Sequence, residues 1–278
     1  MQGRIIYALI FLVACNSEID PAYIAKVNTW RTERTDELLT KGGFLSLAGL
    51  FWLEEGVNTY GSGEENQLIF PDKAPLNLGM ILYENDSIYS VSTEGDTLHM
   101  NPPEMVPPVI RAGTLSWHII KRGERFAIRL KDTESEARKN FHPLEYFPID
   151  PKWNITATFI PFEKPTKIPI ENKAGFTSLT PSPGQLHFEI DGNNFSLDVM
   201  EEEKDLFIIF GDLTNGSETY GAGRYVHTPK PDEHGKVLLD FNQSYNPPCV
   251  FTEFATCPLP PKQNIMNIKV LSGELSYH

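Results

Sequence analysis

Residues 214–261 hold the side chains best suited to chemistry: Tyr220, Arg224, Asp240, Asn242, Tyr245 and Asn246, set among closely spaced glycines and prolines. An arginine can hold an anionic group, while tyrosine and asparagine supply directional hydrogen bonds. Glycine and proline restrict the intervening loops, and loops on a β scaffold are where function concentrates. The segment therefore reads as a binding site for a small or sugar-like ligand. Its catalytic version is a hydrolase in which Asp240 or Glu218 acts as acid or base and Arg224 holds the anion. Glycoside chemistry would need two such carboxylates at a suitable separation. A structural reading stands beside both: Arg224 and Asp240 form one buried ion pair fastening neighbouring strands, and Asn242 caps turns.

Cys249 and Cys257 fall in the same segment. In an oxidising compartment they read as a disulfide closing a small loop, a constraint of roughly 2.5 kcal/mol from chain entropy. The alternatives are two free thiols, one activated by a cation such as Arg224, or two inert buried cysteines. His99, His118, His142, His187, His227, His234 and His278 are scattered without metal-ligand spacing, so no metal site is expected. There is no Gly-x-Ser-x-Gly, His-Glu-x-x-His, phosphate loop or Cys-x-x-Cys, and Gly221-Ala-Gly223 lacks the third glycine of a dinucleotide fingerprint. No cofactor is expected.

The address of the chain is written at its start. Arg4 is followed by an apolar run from Ile5 to Val13 and then Ala14-Cys15. A positive residue, a short apolar core and a small residue before cysteine describe a lipoprotein signal peptide over residues 1–14, with Cys15 as the acylated first residue. The run is about half the 20 residues or so that span a bilayer. Residues 15–22 then form a polar tether. The expectation is a lipid-anchored protein of the bacterial cell envelope, facing the periplasm or the outside and held in the cytoplasmic or outer membrane by acyl chains alone. The formal charge of the chain is −13. Such an acidic balance disfavours nucleic acid, whose binding rests on Lys and Arg neutralising phosphates.

The elements that must position the candidate residues are mostly strands. Val27, Trp30 and Leu38 fall near helical spacing and predict one amphipathic helix over 23–41, ended by Gly42-Gly43. Short β-rich runs follow at 44–52, 67–70, 79–83, 88–92, 115–121 and 125–131, with turns at 84–86 and 122–124. In the last run Phe126, Ile128 and Leu130 alternate with Arg125, Arg129 and Lys131, a half-buried strand with a charged outer face. A soft boundary near residue 143 separates an N-terminal region, 23–142, from a C-terminal β region, 143–278. The second begins with a strand at 153–159 and contains a hairpin, 185–190 and 194–199, turned by Asp191-Gly192-Asn193. Further strands are expected at 206–210, 224–227 and 236–241. The fold class is mainly β, sandwich or partly open barrel, with one N-terminal helix.

Several strings carry a family resemblance. Tyr220-Gly-Ala-Gly-Arg, Asp240-Phe-Asn, Tyr245-Asn-Pro-Pro-Cys and Thr256-Cys-Pro-Leu-Pro-Pro resemble the signature of a prokaryotic family catalogued as domain of unknown function 1684. Strings at 43–53, 120–126 and 144–151 resemble it too, so the likeness spans nearly all of the mature chain. The family brings no activity with it, and no residue inherits a catalytic role. Residues 56–71 are also similar to the opening of a forkhead-associated β-sandwich. No Arg follows Gly61 and no Ser-x-x-His follows Pro71, so that likeness implies a sandwich without phosphothreonine binding.

Overall fold

A computed structural model describes residues 19–102 and 106–277; Cys15 and the signal segment lie outside the described residues. Helix α1 (Pro21–Leu38) begins where the Asp20 carboxylate accepts the Ala22 N–H at 2.9 Å, with Pro21 in the first helical position. Val27 and Leu38 are buried as the spacing predicts, and Arg34 is buried with them. None of the helices in the described residues is long and apolar enough to cross a membrane.

Among the described residues, nine strands follow in the N-terminal region: β1 (Leu47–Trp52), β2 (Gly56–Gly61), β3 (Leu68–Ile69), β4 (Gly79–Glu84), β5 (Ser87–Val91), β6 (Thr97–His99), β7 (Ile110–Ala112), β8 (Leu115–Arg122) and β9 (Arg125–Asp132). They form a four-stranded sheet ordered β1-β9-β8-β7 and a five-stranded sheet ordered β3-β2-β4-β5-β6. Side chains from both sheets share one core around Tyr60, Phe70, Ile81, Ile88, Trp117, Ile128 and Leu130. Alternation on β8 and β9 puts Trp117, Ile119, Phe126, Ile128 and Leu130 into this core. The segment likened to a forkhead-associated opening supplies β2 and β3, which run parallel with Tyr60 opposite Leu68. A 3-10 turn, Phe44–Ser46, replaces the first part of the strand expected at 44–52. The short helix α2 (Glu136–Lys139) leads into the C-terminal region.

There, β10 (Asn154–Glu171), β11 (Thr177–Ile190), β12 (Asn193–Glu201), β13 (Asp205–Phe210), β14 (Arg224–Pro229) and β15 (Lys236–Asp240) form one sheet ordered β14-β13-β12-β11-β10-β15. It curls until its ends meet: Thr228 Oγ1 on β14 donates to the Leu238 carbonyl on β15 at 2.7 Å. The sheet is a nearly closed barrel, filled by Leu186, Leu197, Ile208, Phe210, Val226, Leu239 and Phe241. Asp191 and Gly192 both take positive φ, 49° and 78°, and turn the expected hairpin in two residues. The strands β10 and β11 run far beyond their expected lengths. They contain prolines at 161, 165, 169, 181 and 183, a residue that central strands rarely hold, and the register shifts between Pro161 and Thr166. Beyond that shift the two strands pair only with each other, leaving free edges where a missing N–H costs nothing.

Candidate functional site

The expected site residues are mostly structural supports. Arg224 is fully buried, and its partner is Asp212 at 2.7 Å, not Asp240. Its guanidinium also donates to the carbonyls of Val270 and Ser272. Gly223 makes this approach possible: with φ at 87°, a Cβ there would strike the Phe210 carbonyl and Pro260. Asp240 lies under α1, where its Oδ1 accepts from the Tyr23 hydroxyl at 2.9 Å and from Asn242 N and Nδ2. Burial, then the Asp240 carboxylate, raises the Tyr23 phenol well above its ordinary value. Asn242 is buried and also spans to Asp150. Asn246 is buried, donating to Glu274 Oε2 and the Leu275 carbonyl while its own carbonyl accepts from Arg34. Glu218 is partly exposed and pairs with Lys269 at 2.7 Å, which holds its carboxyl below the ordinary range. Arg224, Asp240 and Glu218 thus occupy three separate surroundings.

Cys249 and Cys257, expected as a disulfide, are both buried free thiols. Cys249 N–H donates to Cys257 Sγ at 3.1 Å and Cys257 N–H to Cys249 Sγ at 3.3 Å, so each sulfur is an acceptor for the opposing backbone. Hydrogen bonding from Cys257 lowers the Cys249 thiol to about 7, and the same contact raises Cys257. Tyr220 rests above them, its hydroxyl accepting from Lys173 at 3.0 Å and donating to the Cys249 carbonyl.

An open cleft of about 780 Å³ lies where α1, the β8–β9 face, the outer face of β13–β14 and the loop 243–258 meet. Of the expected residues only Tyr245 lines it, together with Cys257 of the cysteine pair. One wall is cationic. Arg122 Nε donates to Thr256 Oγ1 at 2.9 Å, and Arg129 Nη2 reaches the same oxygen at 3.4 Å. The Arg129 Nε is buried without a hydrogen-bond partner. Burial, then Arg122, lowers Arg129 to about 10, and the only groups working the other way are the two thiols. Lys131 follows on the same face of β9 and is lowered by burial and Arg129. His118 stands opposite Arg129 on β8; burial first, then Lys131, Arg129 and Arg122, hold it at about 4. These four basic groups gather with no carboxylate paired to any of them among the described residues, in a chain of net charge −13.

The opposite chemistry sits on β13 and β14. Phe207 pairs with His227 in the ladder, which places Asp205 and His227 diagonally on one face. His227 Nδ1 is 3.2 Å from Asp205 Oδ2 and 4.0 Å from Glu202 Oε2, and its Nε2 is 2.8 Å from the Tyr245 hydroxyl. The ring stacks on Phe207 at an interplanar angle of 28°, with centroids 4.8 Å apart. Tyr245 is covered in turn by the Arg34 guanidinium, 4.5 Å from its ring centre, and burial raises its phenol well above the ordinary value. Arg34 is fixed by a buried bond to Glu274, Nε to Oε1 at 3.2 Å.

Sequence reasoning missed the two walls for different reasons. Arg125, Arg129 and Lys131 were legible as the polar face of a strand, and a polar face is normally solvent. Here α1 and the loop 243–258 come over it around Arg122 and Arg129. The Glu202, Asp205 and His227 group, whose donor atoms all lie within 4.8 Å of one another, joins the turn before β13 to the paired strands β13 and β14, so linear spacing could not reveal it.

Among curated proteins, none matches this chain. One solved structure, the solution NMR structure of an uncharacterized protein from Haloarcula marismortui, is 30% identical; the alignment covers 50% of this chain and 78% of that one, with a TM-score of 0.42. The profile of a family described as protein of unknown function (DUF1684) matches residues 139–275, a range that includes the strings at 220–224, 240–242, 245–249 and 256–261 but not those at 43–53 and 120–126. The chain belongs to the DUF1684 family.

Proposed function

We propose that this protein is a lipid-anchored ligand-binding module of the bacterial cell envelope, and that its ligand is a small anionic molecule seated in the cleft against Arg122 and Arg129. The observation that carries the reading is the acid-free arginine pair. Partly buried cations normally take a carboxylate partner, because withdrawing charge from water is costly. Arg122 and Arg129 share only a threonine hydroxyl, and the buried Arg129 Nε has no acceptor at all. A carboxylate or phosphate group would satisfy those donors in two-pronged fashion. Trp30, Phe207 and Tyr245 on the other walls suit the flat or sugar-like remainder of such a ligand. The envelope address rests on the Leu12-Val13-Ala14-Cys15 string.

The test is native mass spectrometry of the protein extracted in mild detergent, joined to thermal melts in citrate, phosphate and a sugar phosphate. At least one anion should raise the melting temperature of the wild type by several degrees. Arg129→Gln and Arg122→Gln should abolish that rise while leaving the unliganded fold as stable or slightly more so, since each removes like-charge repulsion. If both variants respond to anions as the wild type does, the arginine wall is not a binding site.

A further inference from the structure

The geometry points to a second site on the opposite wall of the cleft: Glu202, Asp205 and His227 form a binding site for one divalent transition-metal ion, with zinc the best chemical match. Their three donor atoms all lie within 4.8 Å of one another. Ligand atoms around a tetrahedral zinc are about 3.3 Å apart, given bonds of about 2.0–2.1 Å. His227 Nδ1 and Asp205 Oδ2 already stand at 3.2 Å, and Glu202 Oε2, on a half-exposed side chain, is 4.0 Å from the same nitrogen. Closing the triangle asks the most exposed of the three, Glu202, to move toward His227 from 4.0 Å to about 3.3 Å.

Two independent features separate this group from a chance pair of surface acids. First, His227 Nδ1 is shielded from solvent yet makes no aligned hydrogen bond, although a carboxylate is close enough to accept one. Second, the imidazole is already fixed in a ligating orientation, because Nε2 is tied to the Tyr245 hydroxyl at 2.8 Å and Phe207 stacks on one face of the ring. A ligating histidine with its far nitrogen hydrogen-bonded is the usual outer arrangement of a protein metal site. Neither Glu202 nor Asp205 has a lysine or arginine ion pair among the described residues, whereas neighbouring Glu201 pairs with Lys230 at 2.8 Å. Two oxygens and one imidazole suit zinc or manganese better than calcium or magnesium. Three protein ligands also leave a coordination position facing the cleft.

The site stands apart from the anion reading and is tested without it. Protein stripped with chelator is dialysed against micromolar zinc chloride, and bound metal is counted by elemental mass spectrometry. One equivalent is expected. Asp205→Asn and His227→Gln should each weaken binding at least tenfold, Tyr245→Phe by about tenfold through the outer hydrogen bond, and Glu201→Gln not at all. Circular dichroism and melts of each variant establish that it is folded, and Arg129→Gln should keep its zinc even where it loses anion binding. Failure of the wild type to hold a stoichiometric ion overturns the assignment. So does zinc that survives in both Asp205→Asn and His227→Gln, or that disappears instead in Cys249→Ser, which would place the ion on the thiol pair.

Discussion

His118 is the residue in which the cost of the cationic wall can be read directly. Burial first, and then Lys131, Arg129 and Arg122, hold its imidazole at about 4, against an ordinary value of 6.5. As pH falls through 6.5 the unfolded chain takes up this proton and the folded chain does not. Stability from this residue is therefore complete above 6.5 and lost progressively down to about 4. The expected loss is roughly 1–2 kcal/mol, less than the full shift implies, because the ring is only half buried and water screens its neighbours. Urea melts at pH 7, 5 and 4 should show the wild type losing that much more than His118→Gln over the same interval. Equal losses in the two proteins would mean that neither burial nor the neighbouring basic groups hold His118 down and that this wall is an ordinary solvated face. Burial is the larger cause of the low His118 value, and the repulsion from Lys131, Arg129 and Arg122 that adds to it is the part an anion against those groups would relieve.

Between elements, the buried pair of Arg224 and Asp212 acts as a clasp. Arg224 opens β14, Asp212 follows β13, and both reach the chain near residue 270: Arg224 to the Val270 and Ser272 carbonyls, Asp212 Oδ1 to the Val270 N–H. Removing either partner leaves a charge stranded without water, so Arg224→Met and Asp212→Ala should each destabilise by about 3–5 kcal/mol, and the double variant should recover part of that loss. Chemical melts of the three proteins measure it; additive losses would show that the two side chains are not coupled. The pair also marks how far the sequence could be read. A buried structural role for Arg224 was legible, because an arginine opening a β run in a glycine-rich segment must find partners. Which acid it meets was not, since Asp212 and Asp240 both flank strands and only barrel closure decides which is near. Local signals did better. Asp191-Gly192 specified its hairpin through the positive φ that both positions adopt, and Val27 and Leu38 specified the inward face of α1. The cleft was illegible because it is made by covering: the face of Arg122 and Arg129 becomes a wall only when α1 and the loop 243–258 fold over it.

At the scale of the molecule, anchoring and binding should be separable. The cleft is assembled from residues between Trp30 and Pro258, all of them downstream of Cys15 and of the start of α1. Nothing in the cleft depends on a lipid chain. None of the helices in the described residues is long and apolar enough to cross a bilayer, and an acidic body gains little from anionic lipid heads; in the proposed arrangement the attachment comes from the acyl chains. A Cys15→Ala variant is therefore expected to lose fatty-acid label and to leave the membrane fraction, or to remain as the unprocessed precursor. The same variant should keep the melting temperature, the anion response and the zinc stoichiometry of the wild-type body, because those belong to the β scaffold. Metabolic labelling with a palmitate analogue, followed by fractionation and melts of the released protein, reads both halves at once. Unchanged membrane retention in Cys15→Ala would count against a lipid anchor and favour an uncleaved apolar N-terminus. Loss of the anion response together with the lipid would instead mean that the membrane surface completes the cleft, which would refute the separation argued from the positions of its walls.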